Sequence, residues 1–215
     1  MLTVWGRKSS YNLQKVMWLV AELGIEHTHI EAGGKFGGLD DPEFRARNPH
    51  GKVPVIEDGD TVVWESHAIL RYLVTRYGRD GLIRGNAAYA AEDDQWVDWN
   101  GTRLQPDFLT RIFWGFYRTP EAQRDNAAIA QSIATCGQHF TLLDGMLAQH
   151  TFLLGEQLRT ADIAIGTALF RYLNLDIERP ALPHVHRYYA ALSERPAYQE
   201  HVMIAFDDLF GRLDF

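Results

Sequence analysis

The sequence predicts an α/β domain followed by an all-α domain, and three observations carry that expectation. Strand-like and helix-like stretches alternate from Leu2 to Tyr77, strand patterns disappear from Ala87 onward, and the glycine-bearing run GRDGLIRGNAA lies between them. The expected division is residues 1–78, a linker at 79–86, and residues 87–215.

LTVWG opens the chain as a strand. NLQKVMWLVAELG then places apolar residues at helical spacing and stops at Gly24, a natural C-cap residue. EHTHIEA alternates as a second strand. The polar, glycine-rich stretch from Gly33 to Pro49 is too long for an ordinary connection, which makes it either functional or mobile, as a loop or around a helix. VPVIE and TVVWE flank DGD, and Asp-Gly between two apolar runs signals an antiparallel hairpin. SHAILRYLVTRYG closes the unit as a helix. The resulting order, β-α-β-link-β-β-α, is thioredoxin-like. Beyond Ala87, long amphipathic stretches are punctuated by Thr119-Pro120, Gly155, Pro180, Pro183 and Pro196, which reads as an all-helical half.

Composition narrows the function. With 215 residues, 46% apolar and 23% charged, the chain is long and apolar enough for a full core. A net charge of −7, with Arg7-Lys8 as the longest basic grouping, argues against a nucleic-acid surface. No stretch approaches the roughly 20 apolar residues of a membrane helix, and no charged-then-apolar signal follows Met1, so a soluble cytoplasmic protein without a membrane partner is expected. The single cysteine, Cys136, excludes an internal disulfide and reads as a buried small apolar residue. His27 with His29, and His184 with His186, lack a third ligand of matching spacing, so no metal is expected.

The hairpin GKVPVIEDGDTVVWESHAI holds the most telling chemistry. Pro54 has no N–H for a sheet and forces Val53 toward extended backbone, which leaves the backbone groups of Val53 to pair with something else. A cis Val53-Pro54 bond would present them to an extended peptide, as an added strand. Ser66 stands just before the next helix, where its hydroxyl is expected to cap N–H groups that also attract a carboxylate. Glu65 beside it suits an ammonium. Ammonium and carboxylate on one carbon make an amino-acid head group, and glutathione has that shape. An ordinary proline-capped edge strand followed by a serine N-cap is the rival reading.

The combination NPHGKVPVIEDGDTVVWESHAILRYL resembles the glutathione-binding hairpin and helix of the cytosolic glutathione transferases. WGRKSSYNLQKVMWLVAELGI resembles the first strand, active-site turn and first helix of bacterial, theta-like members. The resemblance implies that Val53, at the Pro54 bend, pairs with the cysteinyl backbone of glutathione. Glu65 and Ser66 would hold its γ-glutamyl end, and Lys52 and Lys35 would meet its glycyl carboxylate.

A thiol with a reference pKa of about 8.5 is mostly protonated at neutral pH, and only its thiolate attacks electrophiles well. Lowering that pKa by about two units takes roughly 2.7 kcal/mol, within reach of one or two charge-assisted hydrogen bonds and a helix N-terminus. The turn KSSYN between first strand and first helix offers such donors: Ser10 first, supported by Asn12. Alignment on theta- and delta-like members favours Ser9 instead, whereas the Asn12 and Lys15 pair favours Ser10. All three also suit plain helix capping. No cysteine lies in this turn, unlike the family's cysteine-using branches.

In the helical half, WVDWNGTRLQPDFLTRIFWGFYRTP carries aromatics at helical spacing, ordinarily a core or packing surface. Trp96 and Trp99 read as core or subunit interface. For Phe113, Trp114 and Tyr117 the resemblance suggests a wall of the electrophile pocket. FLLGEQLRTADIAIG resembles the family's folding motif, in which a Ser or Thr caps a buried helix and an Asp three residues later returns the bond. Asp162 is present, but Arg159 stands where the hydroxyl belongs and Thr160 comes one residue late.

The resemblance implies a homodimer that conjugates glutathione, as co-substrate with no tightly bound cofactor, to small hydrophobic electrophiles. Reduction of disulfides or peroxides at the same site, and a non-catalytic binding module, are the alternatives.

Overall fold

The structure, a computed structural model, describes residues 1–213 and divides into two compact units. Met1–Arg84 with Ala197–Ile204 form the first, and Gly85–Pro196 with Ala205–Leu213 the second.

The first unit holds β1 (Leu2–Trp5), α1 (Tyr11–Glu22), β2 (His27–Ile30), α2 (Pro42–Arg47), β3 (Val55–Asp58), β4 (Thr61–Trp64) and α3 (Ser66–Tyr77). Its sheet has the order β2-β1-β3-β4, with β1 parallel to β2 and antiparallel to β3. The Asp58↔Thr61 register leaves Gly59 and Asp60 as a two-residue turn, and Gly59 takes a φ of 59° there. Strand alternation sorts the two faces. Leu2, Val4 and Ile56 point one way and are fully buried, while Trp5 and Val55 point the other, onto Phe44 of α2. Helix α1 ends with Gly24 at a φ of 61°, its N–H returned to the Ala21 carbonyl.

The Gly33–Pro49 stretch is built rather than open: a 3₁₀ turn at Gly34–Phe36 and then α2. Pro42 starts α2, and Phe44 anchors it in a small core with Ala32 and Val55. One buried residue in six gives no apolar period, which is why the sequence reads there as a link.

The second unit holds α4 (Ala87–Trp99), α5 (Asn126–Met146), α6 (Thr160–Asn174) and α7 (Pro183–Ser193). Helix α4 continues into π-helical stretches at Asn100–Leu104 and Pro106–Arg118. Pro106 has no N–H to give to the ladder, and the last turn closes with a Thr119 N–H to Trp114 carbonyl bond of 3.0 Å, five residues back. Helix α6 is buried along most of its length, and Tyr172 stacks on Phe140 with centroids 3.7 Å apart. Cys136 is fully buried, which raises its thiol pKa. Trp96 and Trp99 pack edge to face at 5.5 Å.

The start of α6 answers how Arg159 replaces a hydroxyl. Asp162 still returns its half of the cap, accepting from the Arg159 N–H at 2.8 Å. The other half comes from α4: Asp93 accepts the Ala161 N–H at 2.9 Å with one oxygen and the Arg159 guanidinium at 3.1 Å with the other. Thr160, one residue late, leaves its hydroxyl oxygen without a partner. Among the described residues, no helix is long and apolar enough to cross a membrane.

The last helix, α8 (Pro196–His201), gives its residues from Ala197 to the first unit rather than to the helical half in which the sequence places them. Tyr198 is fully buried, edge on to Trp18 of α1 at 4.8 Å.

Candidate active site

The first unit gathers three backbone features at one end of its strands, where Trp5, Val55 and Trp64 pair. β1 is followed by Gly6, whose φ of 148° and lack of a side chain let Val53 close in; a Cβ there would sit 3.1 Å from the Val53 Cβ. The Val53-Pro54 peptide is cis, and strand pairing begins only at Val55, so Val53 stands outside the ladder. Two strands later, Glu65 adopts a φ of 68°, a left-handed conformation that costs a residue with a side chain about 1–3 kcal/mol.

Glu65, not Ser66, occupies the cap position of α3. Ser66 is the first helical residue and is buried, and the Glu65 side chain makes no cap hydrogen bond to the first turn. The sequence expects a serine cap because Ser precedes the apolar period; the strained Glu65 turn shifts the helix start by one residue. An uncapped first turn with a hydroxyl beside it suits a carboxylate.

At the start of α1, Ser10 is the N-cap: buried to 8% exposure, its Oγ accepts the Leu13 N–H at 3.4 Å. Ser9, one residue earlier, is half-exposed, as is Asn12. Asn12 Oδ1 accepts from Lys15 Nζ at 3.1 Å. Lys52 is exposed, its carbonyl tied by the Asn48 amide at 2.8 Å, and Lys35 on the 3₁₀ turn lies over the Phe36 ring at 5.2 Å.

Beneath these lies a group that the sequence reading does not assign to the site. Lys15 is fully buried, and its ammonium contacts His67 Nε2 of α3 at 3.1 Å as well as Asn12. Burial brings its pKa down to about 7, with Glu65 pulling the other way. Burial also brings His67 down to about 2, helped by Lys15 and Arg71, so the imidazole is neutral. A signal existed: Lys15 lies four residues after Tyr11 and three before Trp18, on the apolar stripe of its helix.

In the second unit, Phe113 belongs to the core and not to a pocket wall. It is 1% exposed, stacked on Tyr117 at 5.5 Å and against Phe206. Trp114 and Tyr117 are half-buried; the Arg118 guanidinium sits over Trp114 at 4.0 Å, and Tyr117 meets Phe206 and Phe210. Three of the four paired histidines contact oxygen acceptors, and His186 is exposed. His29 meets the Gly6 carbonyl at 2.7 Å, His27 the Ile25 carbonyl at 3.0 Å, and His184 the Asp144 carboxylate at 2.9 Å.

Family models match both parts of the chain: glutathione S-transferase, N-terminal domain, over residues 1–75, and glutathione S-transferase, C-terminal domain, over residues 126–191. The chain is 38% identical over 206 residues to glutathione S-transferase GstB of Escherichia coli K12, covering 95% of this chain and 99% of that one. A theta class glutathione S-transferase from Xanthomonas axonopodis pv. citri, solved with glutathione bound, superposes with a TM-score of 0.88 at 43% identity, covering 95% of this chain and 98% of that one. A delta-class glutathione transferase from Nilaparvata lugens shares the fold, with a TM-score of 0.85 at 23% identity and 98% coverage of each chain. The chain belongs to the glutathione S-transferase family.

Proposed function

We propose that this transferase binds glutathione along Val53 and against the start of α3, ionises its thiol at the start of α1, and conjugates it to small hydrophobic electrophiles. The observation that carries the reading is the uncapped first turn of α3. A strained Glu65 and a buried Ser66 stand at a helix start that the Glu65 side chain leaves uncapped, beside a residue left outside the sheet ladder. That arrangement fits the γ-glutamyl carboxylate and ammonium, with the cysteinyl backbone pairing with Val53 at the Pro54 bend. Lys52 and Lys35 would meet the glycyl carboxylate. Trp114 and Tyr117 are the residues offered to the electrophile.

Ser10 and Ser9 both remain donors for the sulfur. A hydroxyl that accepts an N–H as a cap keeps its own hydrogen to give, so capping does not disqualify Ser10, and Ser9 has the greater exposure. Glutathione is co-substrate, with no tightly bound cofactor, in a cytoplasmic homodimer.

Calorimetry with glutathione, then turnover of an aryl halide and of a small disulfide, tests the reading. Saturable binding with aryl-halide turnover supports it. Disulfide turnover alone would move the assignment to glutathione-dependent reduction, and binding with neither activity to a binding module. Ser9→Ala and Ser10→Ala, followed by thiolate absorbance across pH, identify the donor: its loss raises the bound thiol pKa by about one unit, a tenfold loss of thiolate near neutral pH.

A further inference from the structure

We propose that Lys15 is a positioning residue, whose ammonium fixes the amide of Asn12 so that its NH₂ faces the glutathione sulfur; this rests on the function proposed above. An asparagine side chain is nearly symmetric in shape, so packing alone does not decide which end is oxygen. Lys15 decides it. An ammonium has three hydrogens and no lone pair, and the neutral amine that replaces it above about pH 7 still has two hydrogens for Asn12 and His67, so the atom 3.1 Å from Nζ is the amide oxygen, and the two donor hydrogens point away from it. Were the amide reversed, NH₂ would face NH₃⁺, and the sulfur would meet a carbonyl oxygen that repels a thiolate.

The lysine itself is held from several sides. His67 Nε2 accepts a second hydrogen at 3.1 Å, which puts the imidazole proton on Nδ1, and the Tyr11 ring lies 4.8 Å below Nζ. Glu65 supplies a favourable charge from the start of α3. The ammonium therefore joins the helix start proposed for the thiol to the helix start proposed for the amino-acid end, and does so from a fully buried position. Its side chain acts through Asn12 and His67 rather than by reaching the ligand.

The test compares unaltered protein, Lys15→Met, Asn12→Ala and the double variant. Binding of S-hexylglutathione, which has no free thiol, reports the grip on the tripeptide, and thiolate absorbance with glutathione reports the thiol pKa. Lys15→Met is expected to raise that pKa by about one unit and to lower kcat near neutral pH about tenfold. S-hexylglutathione affinity should stay within about threefold, and activity should recover at alkaline pH. Adding Asn12→Ala should change the thiol pKa little further, because both substitutions remove one interaction. Should Met prove incompatible with folding, Asn12→Asp keeps a partner for Lys15 while replacing the outward NH₂ by oxygen, and should raise the thiol pKa as well. An unshifted thiol pKa in Lys15→Met or Asn12→Asp, or single effects that multiply in full, would overturn the proposal. Failure of the unaltered protein to bind S-hexylglutathione would remove both the function and the positioning role.

Discussion

At the scale of single residues, Lys15 and Gly6 each yield a measurable consequence. Lys15 faces Tyr11 and Asn12 on its own helix, Glu65 just before α3 and His67 within α3, and its pKa falls from 10.5 to about 7. The unfolded chain therefore holds a proton on this amine that the fold sheds between about pH 7 and 10.5. The penalty is fully present below about 7 and fades as pH rises, so urea midpoints should climb between pH 7 and 10. Lys15→Met, measured over the same range, should flatten that climb. His67, lowered from 6.5 to about 2, extends the same slope toward acid: stability falls as pH drops below about 6.5. Gly6 combines a φ of 148° with a Val53 Cβ only 3.1 Å from where its own would stand. Gly6→Ala should cost about 1–3 kcal/mol in chemical denaturation and weaken glutathione binding, since Val53 must give way.

At the scale of elements, the cap of α6 is the clearest case of a bond relocated between helices. Asp93 serves two groups, the Ala161 N–H and the Arg159 guanidinium, in a setting where Asp93 is 2% and Arg159 7% exposed. Asp93→Ala should cost about 1–3 kcal/mol, because it leaves the buried Ala161 N–H without its acceptor and the Arg159 guanidinium with only Glu92 and the Tyr89 carbonyl. Arg159→Ser added to it puts a hydroxyl at the cap position and removes the guanidinium that has lost one of its two carboxylates. Thermal or urea unfolding of the double variant should recover most of the loss, and no recovery would mean that Asp93 matters for something other than the cap. The sequence revealed the defect through Arg159 and Asp162, three residues apart. It did not reveal the remedy, since Asp93 lies 66 residues away from Arg159 and only packing of α4 against α6 joins them. The same division holds elsewhere. The Asp-Gly turn and the Pro54 bend are local and were readable. The one-residue shift at Ser66 depends on the backbone of Glu65, and the burial of Lys15 depends on α3.

At the scale of the whole chain, the order of strands and helices was legible because each follows its own period, whereas chain return was not. Nothing in PAYQEHV marks it as part of the first unit, yet Ala197–Ile204 belongs there. Tyr198 and Trp18 are both fully buried and meet edge to face, and Val202 is 1% exposed. Trp18 lies on α1, three residues past Lys15, so this return segment helps close the helix that carries the proposed thiol-binding turn. Tyr198→Ala removes a large buried ring and should cost about 3–5 kcal/mol. Loss of its edge contact should also move Trp18 emission toward that of a hydrated indole. A chain ending at Arg84 lacks the segment altogether and should show weaker, less cooperative unfolding than the same residues within the full chain. Supplying Ala197–Ile204 through a flexible linker should restore part of the transition. If Tyr198→Ala left both stability and Trp18 emission unchanged, the return segment would be an ornament on α1 rather than a part of its core.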